Sequence, residues 1–310
     1  MRILLTGGYG FVGRHVRQAA EKAGHLVHCL SIELSRSRRK DDAFHLISLG
    51  VDATSLWRAV DGLKFDWMIH LASYGVRPGD RDPDKMEAIN VVLCRNLGAL
   101  AGDLGLQAAV CSGSSAEYAG PVVSPYREDD RLDQMTAYGR SKAVGGSAFL
   151  EAASLTGVPG AVLRLFNVYG PGESDHRLLP SIASRLSREL PVDLSPGDQV
   201  RDFIYVEDVA ASLLGACRKL DRSGAGSGIY NLASGTGTTV RNFAETVARA
   251  MKKDVSLLHF GAIPQRAGEQ PFVVGDPAKY RSVFGDTLPT CVERGIERTV
   301  KIWWDCANGR

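Results

Sequence analysis

The sequence has no long hydrophobic run: no stretch of its 310 residues approaches the length that spans a bilayer. The apolar run at its start, residues 3–6, is short and leads directly into glycines, which is unlike a signal peptide. We therefore expect the protein to stay in the cytoplasm and to have no membrane partner.

The chain also lacks an excess of charge of one sign, because its formal net charge is +2 with 23% of residues charged. Such a balance does not predict a surface for nucleic acid. The six cysteines form no CxxC pair and no metal-ligand spacing with the seven histidines. We expect reduced thiols and no metal site.

What the sequence does contain is a glycine-rich turn near its start, where residues 4–13 read LLTGGYGFVG. An apolar stretch runs into this turn, and residues 11–23 follow it with a helical pattern. The order of strand, tight turn and helix is the context that a dinucleotide-binding fingerprint requires. The start of the chain therefore predicts dinucleotide binding.

Each glycine of the turn has a separate physical task. Gly7 suits a positive φ, Gly10 lets the backbone approach a diphosphate, and Gly13 lets the helix pack closely on the strand. The first helical turn, which begins with Phe11 and Val12, has amides without internal partners and the positive end of the helix dipole. Together these groups suit an anionic phosphate.

Strand and helix patterns alternate over the first half of the chain. Strands are predicted at residues 25–32, 45–52, 66–72, 106–112 and 158–166, and long helices at 84–104 and 137–156. Nearly all-apolar strands fit a parallel sheet that is covered on both faces. We therefore predict an α/β fold, a doubly wound parallel sheet of the Rossmann type, with ligands at the carboxyl ends of its strands.

The character of the sequence changes after Gly170, since proline, glycine and aspartate punctuate shorter elements. We predict an NAD(P)-binding Rossmann domain over residues 1–170, with a later segment at about 200–235 that returns to it. Residues 171–310 are predicted to form mainly a smaller, interleaved C-terminal region that binds the substrate.

Tyr138 and Lys142 lie four residues apart in the segment YGRSK, so on a helix they share one face. An ammonium beside a phenol stabilises the phenolate, which allows the tyrosine to act as an acid or a base. The segment CSGSSAEY at residues 111–118 begins at the end of the predicted strand 106–112, where a serine hydroxyl would face the same crevice. A serine, a phenol and an ammonium around one substrate hydroxyl suit reversible hydride transfer to nicotinamide.

With these residues the chain resembles the extended short-chain dehydrogenase/reductases that act on nucleotide sugars, a group of epimerases, dehydratases and 4-keto-reductases. The resemblance extends over nearly the full length. It rests on TGGYGFVG from Thr6, HLAS from His70, SSAEYAG from Ser114, YGRSK from Tyr138, RLFNVYGPGE from Arg164, VRDFIYVEDVA from Val200, YNLASG from Tyr230 and PQRAGE from Pro264.

The resemblance implies roles for single positions. Tyr138 is similar to the catalytic acid/base of the family, and Lys142 to the cation that stabilises its phenolate and binds the nicotinamide ribose. Ser115 is similar to the hydroxyl that holds the sugar oxygen, and Glu117 stands where dehydratases carry a catalytic glutamate. The residues implied to contact the nucleotide sugar are Asn167, Arg201 and Arg266, with the two arginines on its diphosphate.

Further cofactor contacts follow from the same resemblance. The strand at residues 66–72 would offer Leu71 and Ala72, while His70 is interpreted as a core residue. Asp52 and Ala53 fall where members of the family bind adenine, although Asp52 also suits a helix cap or a turn.

The choice of nicotinamide cofactor depends on the end of the second strand, where NAD-preferring members carry an aspartate. Ser31 holds this position here, and Arg36, Arg38 and Arg39 follow it. This pattern favours NADP, because the position holds no carboxylate that could repel a 2′-phosphate. The alternative is that the arginines only form a solvated loop. Glu33 would favour NAD if the register shifted slightly.

Three reactions at sugar carbon 4 remain open. We rank first the NADPH-dependent reduction of a nucleotide-linked 4-keto-6-deoxyhexose, which needs only Ser115, Tyr138 and Lys142. A 4-epimerase with tightly bound NAD(P) ranks second. A 4,6-dehydratase follows, since Glu117 could serve it although Ala116 replaces an aspartate that such enzymes often have. A regulator that only binds a dinucleotide would be expected to lack the tyrosine or the lysine.

The resemblance also implies a homodimer that pairs through the helices at 84–104 and 137–156. The identity of the base and of the sugar depends on the shape of the C-terminal region. Residues 175–179 and 194–197 are expected to lie close to the base.

Overall fold

The computed structural model describes residues 1–31, 44–46, 52–77, 79–120, 124–132, 136–220, 226–286 and 288–307. For residues 44–46 and 306–307 it describes the backbone alone. Four residues of the cofactor prediction lie outside the described residues: Glu33, Arg36, Arg38 and Arg39.

Helices lie between successive strands of the described chain over residues 1–31 and 44–165, as the sequence predicts. The strands are β1 (Arg2–Thr6), β2 (Leu26–Ser31), β3 (Phe44–Leu46), β4 (Trp67–His70), β5 (Ala108–Ser114), β6 (Gly160–Leu165), β7 (Asn167–Tyr169), β8 (Val192–Leu194), β9 (Val200–Arg201), β10 (Phe203–Tyr205), β11 (Gly228–Leu232), β12 (Thr238–Thr239), β13 (Leu258–Phe260) and β14 (Phe272–Val273). The helices are α1 (Phe11–Lys22), α2 (Ala53–Val60), α3 (Pro83–Glu87), α4 (Leu93–Asp103), α5 (Ala137–Leu155), α6 (Leu178–Leu186), α7 (Val206–Lys219), α8 (Val240–Ala250), α9 (Ala278–Phe284) and α10 (Val292–Ala307).

The main sheet of the described chain has seven parallel strands in the order β3-β2-β1-β4-β5-β6-β11. The order reverses between β1 and β4, so a crevice opens at the carboxyl ends of these two strands. In the register of the sheet, Thr6 of β1 pairs with His70 of β4, and His70 pairs with Cys111 of β5. The predicted doubly wound parallel sheet is confirmed, and its switch point locates the place where a ligand is expected.

Helices cover both faces of this sheet, because every inner strand is apolar on both sides. On one face, Val16 of α1 and Leu213 of α7 pack in a single cluster with β1 and β4. On the other face, Leu56 of α2, Leu97 of α4 and Phe149 of α5 form a second cluster. The glycine turn, at the end of β1, therefore lies between two well-packed layers.

The long helix predicted at residues 84–104 consists of three parts. Helix α3 begins with Asp82 as its N-cap and Pro83 at its first position. A π-helical turn at Ala88–Val92 separates it from α4. A π turn adds one residue to the helical cycle and is often found at functional sites. This turn places the buried side chain of Asn90 toward the loop that follows β4.

The second half of the chain both extends the main sheet and builds a smaller region. Helix α7 lies against α1, and β11 pairs with β6, within the segment predicted to return to the Rossmann domain. Ile182 of α6, Phe243 of α8 and Ile296 of α10 share a third hydrophobic cluster, which belongs to the smaller region. Among the described residues, no helix combines the length and the apolar character needed to cross a membrane.

Candidate functional site

The glycine turn packs directly against the end of β4. Gly7 has a φ of 70°, and a Cβ at this position would lie 2.7 Å from the backbone nitrogen of Ala72. A Cβ on Gly13 would collide with the carbonyl oxygen of Gly7. The amide of Gly10 donates to that same carbonyl at 2.9 Å, which closes the turn. Positions 7 and 13 therefore require glycine, because any side chain there would prevent the close approach of the turn, the helix and the strand.

Helix α1 begins immediately after this turn, at the carboxyl end of β1. Gly10 is the N-cap residue in an extended conformation, and no side chain of the described residues caps the helix. The first turn, which starts at Phe11 and Val12, contains no acidic residue. Amides without a capping partner at a helix N-terminus suit a phosphate. The turn and the helix together fit the diphosphate of a dinucleotide.

Thr6, the last residue of β1, holds the loop after β4 in place. Its buried Oγ1 accepts hydrogen bonds from the backbone amides of Leu71 and Ala72, both at 3.2 Å. Leu71 and Ala72 are the residues that the sequence predicts to contact the cofactor. The hydroxyl of Thr6 thus fixes the backbone on which that predicted contact depends.

Lys142 of α5 is 3% exposed, and its Nζ donates to the carbonyl of Ser112 at 2.7 Å. Burial by itself would lower the pKa of Lys142, but the neighbouring pair of Cys111 and Cys94, the phenol of Tyr138 and the carboxylate of Glu117 together outweigh burial and raise it. The ammonium therefore remains charged at the carboxyl end of β5. This is the cation that a phenolate at Tyr138 requires.

Tyr138 is half-buried in the first turn of α5, beside the short turn at Ser115–Glu117. The two elements touch so closely that a Cβ on Gly139 would collide with the carbonyl oxygen of Ala116. On its other side the Tyr138 ring covers Gly75, where a Cβ would lie 2.9 Å from Cδ2 of the ring. Ser115, Tyr138 and Lys142 are therefore all carried by elements that meet at the end of β5.

We expect Gly139→Ala to lower turnover and to reduce the free energy of unfolding by about 1–3 kcal/mol, because the new methyl group meets backbone and must push α5 away from Ser115. The matched control is Gly215→Ala in α7, where an added Cβ meets nothing within 4 Å. The control should keep full turnover and gain about 0.5–1 kcal/mol of stability. Urea unfolding and initial rates measure both effects, and equal behaviour of the two variants would contradict the close packing.

Asn90, which the sequence analysis did not identify, connects the loop after β4 to α5. Its Oδ1 accepts from the amide of Tyr74 at 2.9 Å, and its Nδ2 donates to the carbonyl of Tyr74 at 2.8 Å and to Oγ of Ser141 at 2.9 Å. Oγ of Ser141 in turn donates to the carbonyl of Tyr138 at 2.9 Å. The sequence did contain a signal for Asn90: its amide stands in the apolar run AINVVLC, and a polar group that is buried with such a run requires hydrogen-bond partners.

Glu117, predicted among the catalytic residues, has both carboxylate oxygens engaged in the structure. Arg164 Nε donates to Oε2 at 2.7 Å, and the amide of Ser114 donates to Oε1 at 2.7 Å. Glu117 is 1% exposed and Arg164 is 2% exposed. The carboxylate is therefore a buried partner of Arg164 and is not left free, because an unpaired guanidinium would be costly at this depth.

The two arginines predicted for the diphosphate lie near one turn of the C-terminal region. Arg201 Nη2 lies 2.8 Å from Oε1 of Glu269, and Arg201 is half-buried. Arg266 is exposed, and its carbonyl accepts from the amide of Glu269 at 3.1 Å. Burial lowers the pKa of Arg201, and the carboxylate of Glu269 partly offsets this effect. Glu269 ends the motif PQRAGE and was not predicted as a partner.

The other predicted contacts lie at the ends of elements. Ser31 ends β2 and is half-buried, and Asn167 begins β7 and is half-buried. Asp52 is the N-cap of α2, and its Oδ1 accepts from the amide of Ser55 at 2.9 Å; Ala53 follows it and is exposed. The hydrogen bonds from Ser55 lower the pKa of Asp52. Asp52 thus caps α2, as one of its two interpretations predicted, and its contact with adenine stays a prediction.

Comparison with known proteins identifies similar chains. The model of the "NAD dependent epimerase/dehydratase family" matches residues 3–233. The chain is 26% identical to a probable UDP-glucuronate 4-epimerase of Rhizobium meliloti (strain 1021), covering 98% of this chain and 97% of that protein. It is 26% identical to the UDP-glucose 4-epimerase of Lactobacillus helveticus, covering 92% and 91%. Among solved structures, the UDP-glucose 4-epimerase of Thermus thermophilus in complex with NAD is similar, with a TM-score of 0.82, 26% identity and coverage of 97% and 98%.

Proposed function

Because the chain belongs to the NAD dependent epimerase/dehydratase family, we propose that it is a nucleotide-sugar 4-epimerase. The similar proteins of Rhizobium meliloti and Lactobacillus helveticus are named as 4-epimerases of UDP-glucuronate and of UDP-glucose. They support epimerisation over the NADPH-dependent 4-keto reduction that the sequence analysis ranked first. The proposed reaction inverts the hydroxyl group at carbon 4 of a UDP-linked hexose or hexuronate.

We propose NAD as the cofactor, in place of the NADP that Ser31 and Arg36 favoured. The similar enzyme of Thermus thermophilus is described in complex with NAD, as is WbmG of Bordetella bronchiseptica. The glycine turn at Gly7 and the start of α1, which no described side chain caps, fit a dinucleotide diphosphate. A bound NAD would supply the acceptor, and later the donor, of the hydride at carbon 4, which allows the hydroxyl group to be restored with the opposite configuration.

The residues of the chain supply the proton transfer and the orientation. Tyr138 accepts the proton of the 4-hydroxyl group while the ketone forms, and donates it back when the hydroxyl is restored. Lys142, which is fixed by the carbonyl of Ser112 at 2.7 Å, stabilises the phenolate of Tyr138 before the proton is accepted and after it has been returned. Ser115 donates a hydrogen bond to the oxygen on carbon 4, and this bond orients the sugar.

The observation that favours an epimerase over a 4,6-dehydratase is the engagement of Glu117. A dehydratase must remove a proton at carbon 5 and expel the hydroxyl group at carbon 6, for which it needs a free carboxylate. Both oxygens of Glu117 already accept hydrogen bonds, from Arg164 and from Ser114. Epimerisation needs no such carboxylate, and it uses only the serine, tyrosine and lysine described above.

The proposed substrate contacts lie in the smaller region. Arg201 and Arg266 are suited to a diphosphate, since a guanidinium offers a planar fork of donors. Glu269 lies 2.8 Å from Arg201 and would share that guanidinium with the phosphate oxygens. Leu179 and Leu194, which belong to the segments expected near the base, share one hydrophobic cluster. This common cluster supports a single base pocket built from both segments.

The proposal is tested by incubating the purified protein with UDP-glucose and, separately, with UDP-glucuronate, without added nicotinamide. We expect at least one of them to be converted to a mixture with its 4-epimer, as measured by anion-exchange chromatography. Denaturation should release NAD, because a cofactor regenerated in each cycle does not need to leave. An empty protein that consumes NADPH with a 4-keto sugar nucleotide would favour the reductase, and a 4-keto-6-deoxy product would favour the dehydratase.

We also propose that the protein is a homodimer that pairs through α4 and α5. Val144 and Leu155 of α5 are 49% and 83% exposed, which is costly for apolar side chains of a lone subunit. Sedimentation analysis should give the mass of two chains, and the mass of one chain would contradict this arrangement.

A further inference from the structure

The buried ammonium of Lys142 needs a counter-charge that the described carboxylates do not supply. Within the described residues Lys142 forms no ion pair with a carboxylate, and its Nζ donates to the neutral carbonyl of Ser112. Glu117, a buried carboxylate in its surroundings, is paired with Arg164. An uncompensated charge at 3% exposure is expensive, so another negative group is required nearby.

A chain of polar side chains crosses the sheet next to Lys142. Thr6, His70 and Cys111 lie side by side on β1, β4 and β5, and Cys94 of α4 packs onto them. Oγ1 of Thr6 lies 2.6 Å from Nδ1 of His70, and Nε2 of His70 lies 3.1 Å from Sγ of Cys94. The nearest ligand atoms of His70, Cys94 and Cys111 lie within 4.8 Å of one another. All four residues are at most 1% exposed.

The positions of the protons in this chain follow from counting donors and acceptors. Oγ1 of Thr6 already accepts from the amides of Leu71 and Ala72, which occupies both of its lone pairs. Its own hydrogen must therefore be donated to Nδ1 of His70. A neutral imidazole that accepts at Nδ1 carries its hydrogen on Nε2, and that hydrogen points to Sγ of Cys94.

Cys111 supplies a second donor to the same sulfur. Its sulfur lies 3.6 Å from the carbonyl oxygen of Ser112 and within 4.8 Å of the sulfur of Cys94, so its single S–H can turn to either acceptor. The hydrogen bond from Cys111, together with the positive charge of Lys142 and the contact with His70, lowers the pKa of Cys94 well below its usual value. The same pair interaction and full burial raise the pKa of Cys111. Cys94 is thus the acceptor, and Cys111 keeps its proton.

We propose that Cys94 is held as a thiolate by hydrogen bonds from His70 and Cys111, and that this buried anion is the counter-charge that keeps Lys142 protonated. Cys94 is a positioning residue that acts through Lys142. The titratable groups that face it are His70 from β4, Cys111 from β5 and Lys142 from α5, while Tyr138 and Glu117 also act electrostatically on Lys142. The kinetic part of this proposal rests on the proposed function, and the spectroscopic part does not.

The spectroscopic test measures the ultraviolet absorbance of thiolate in the folded wild-type protein and in Cys94→Ser at neutral pH. We expect the wild type to show one thiolate more than Cys94→Ser, and this signal should vanish on acidification. Cys217→Ser is the matched control, because burial raises the pKa of Cys217 and its removal should change nothing. Cys111→Ser is a second variant, in which the hydroxyl still donates to Cys94 and the thiolate should persist.

The kinetic test follows the dependence of kcat on pH. Without the anion, burial lowers the pKa of Lys142, so the basic limb of the profile in Cys94→Ser should move to lower pH by about one unit. KM for the UDP-sugar should remain within about twofold of the wild type, because Cys94 does not touch substrate. If the substitution only loosened the packing, kcat would fall at every pH and the basic limb of the profile would stay at the same pH.

Three results would overturn the proposal. The first is equal thiolate absorbance in the wild type and in Cys94→Ser at neutral pH. The second is an unmoved basic limb in an active Cys94→Ser enzyme. The third is a stoichiometric zinc ion, found by elemental analysis of the wild type and lost in Cys94→Ser, since these three side chains would then be metal ligands. If no sugar nucleotide is turned over, the proposed function fails, while the absorbance measurement still decides the state of Cys94.

Discussion

Tyr138→Phe is expected to lower the proposed epimerase turnover by about 10²–10⁴-fold, because it removes the hydroxyl that we propose to carry the proton to and from the 4-hydroxyl group. The ring should stay in place, since its packing over Gly75 involves carbon atoms and not the hydroxyl. Lys142 should also stay fixed, because its hydrogen bond goes to the backbone of Ser112. NAD should therefore remain bound at the level of the wild type.

The measurement combines the rate of 4-epimer formation with the amount of NAD released on denaturation. Tyr230→Phe serves as the control, since its hydroxyl donates to the carbonyl of Gly226 at 2.9 Å and has no part in the proposed chemistry. The control should keep its turnover. Undiminished turnover in Tyr138→Phe would refute the acid/base assignment, whereas loss of both turnover and NAD would indicate a damaged cofactor site instead.

Arg164→Met is expected to reduce the free energy of unfolding by about 3–5 kcal/mol, because it leaves the carboxylate of Glu117 buried without its partner. The guanidinium also donates to the hydroxyl of Tyr118 at 2.8 Å and to the carbonyl of Glu128 at 3.0 Å. These acceptors lose their donor in the same substitution. The turn that carries Ser115 should loosen as a result.

Urea unfolding of three variants measures this effect. Arg127→Met is the control, because Arg127 and Asp129 form an exposed ion pair at 3.7 Å, and its loss should cost less than about 1 kcal/mol. The double variant Glu117→Gln with Arg164→Met should be more stable than Arg164→Met alone, since no charge is then buried unpaired. Similar unfolding midpoints for Arg164→Met and Arg127→Met would show that the pair is not buried in solution.

Local patterns predicted the framework of the site. The glycine turn, the helix that follows it and the four-residue spacing of Tyr138 and Lys142 are set by neighbours in the chain. The preference of glycine for positive φ acts over a few residues, and so does the periodicity of a helix. For this reason the predicted doubly wound sheet and the start of α1 at Phe11 agree with the structure.

Interactions between distant parts of the chain were not predictable in the same way. Glu117 was predicted to serve a dehydratase or simply to hydrogen-bond a neighbouring group, and its partner Arg164, which lies 47 positions further along the chain, was not predicted. The hydrogen bond of Asn90 to Ser141 spans 51 positions, and that of His70 to Cys94 spans 24. A single sequence does not reveal which polar groups become neighbours once the strands are in register.

The sequence by itself determined a dinucleotide-binding α/β fold and predicted a serine, tyrosine and lysine set for hydride transfer, because these depend on residue type and on short spacing. Only the tertiary structure decided that Glu117 is paired with Arg164 and that Cys94 lies against His70. The physical reason is that a charge or a hydrogen bond is satisfied by whichever group lies within about 3 Å, and folding alone selects that group.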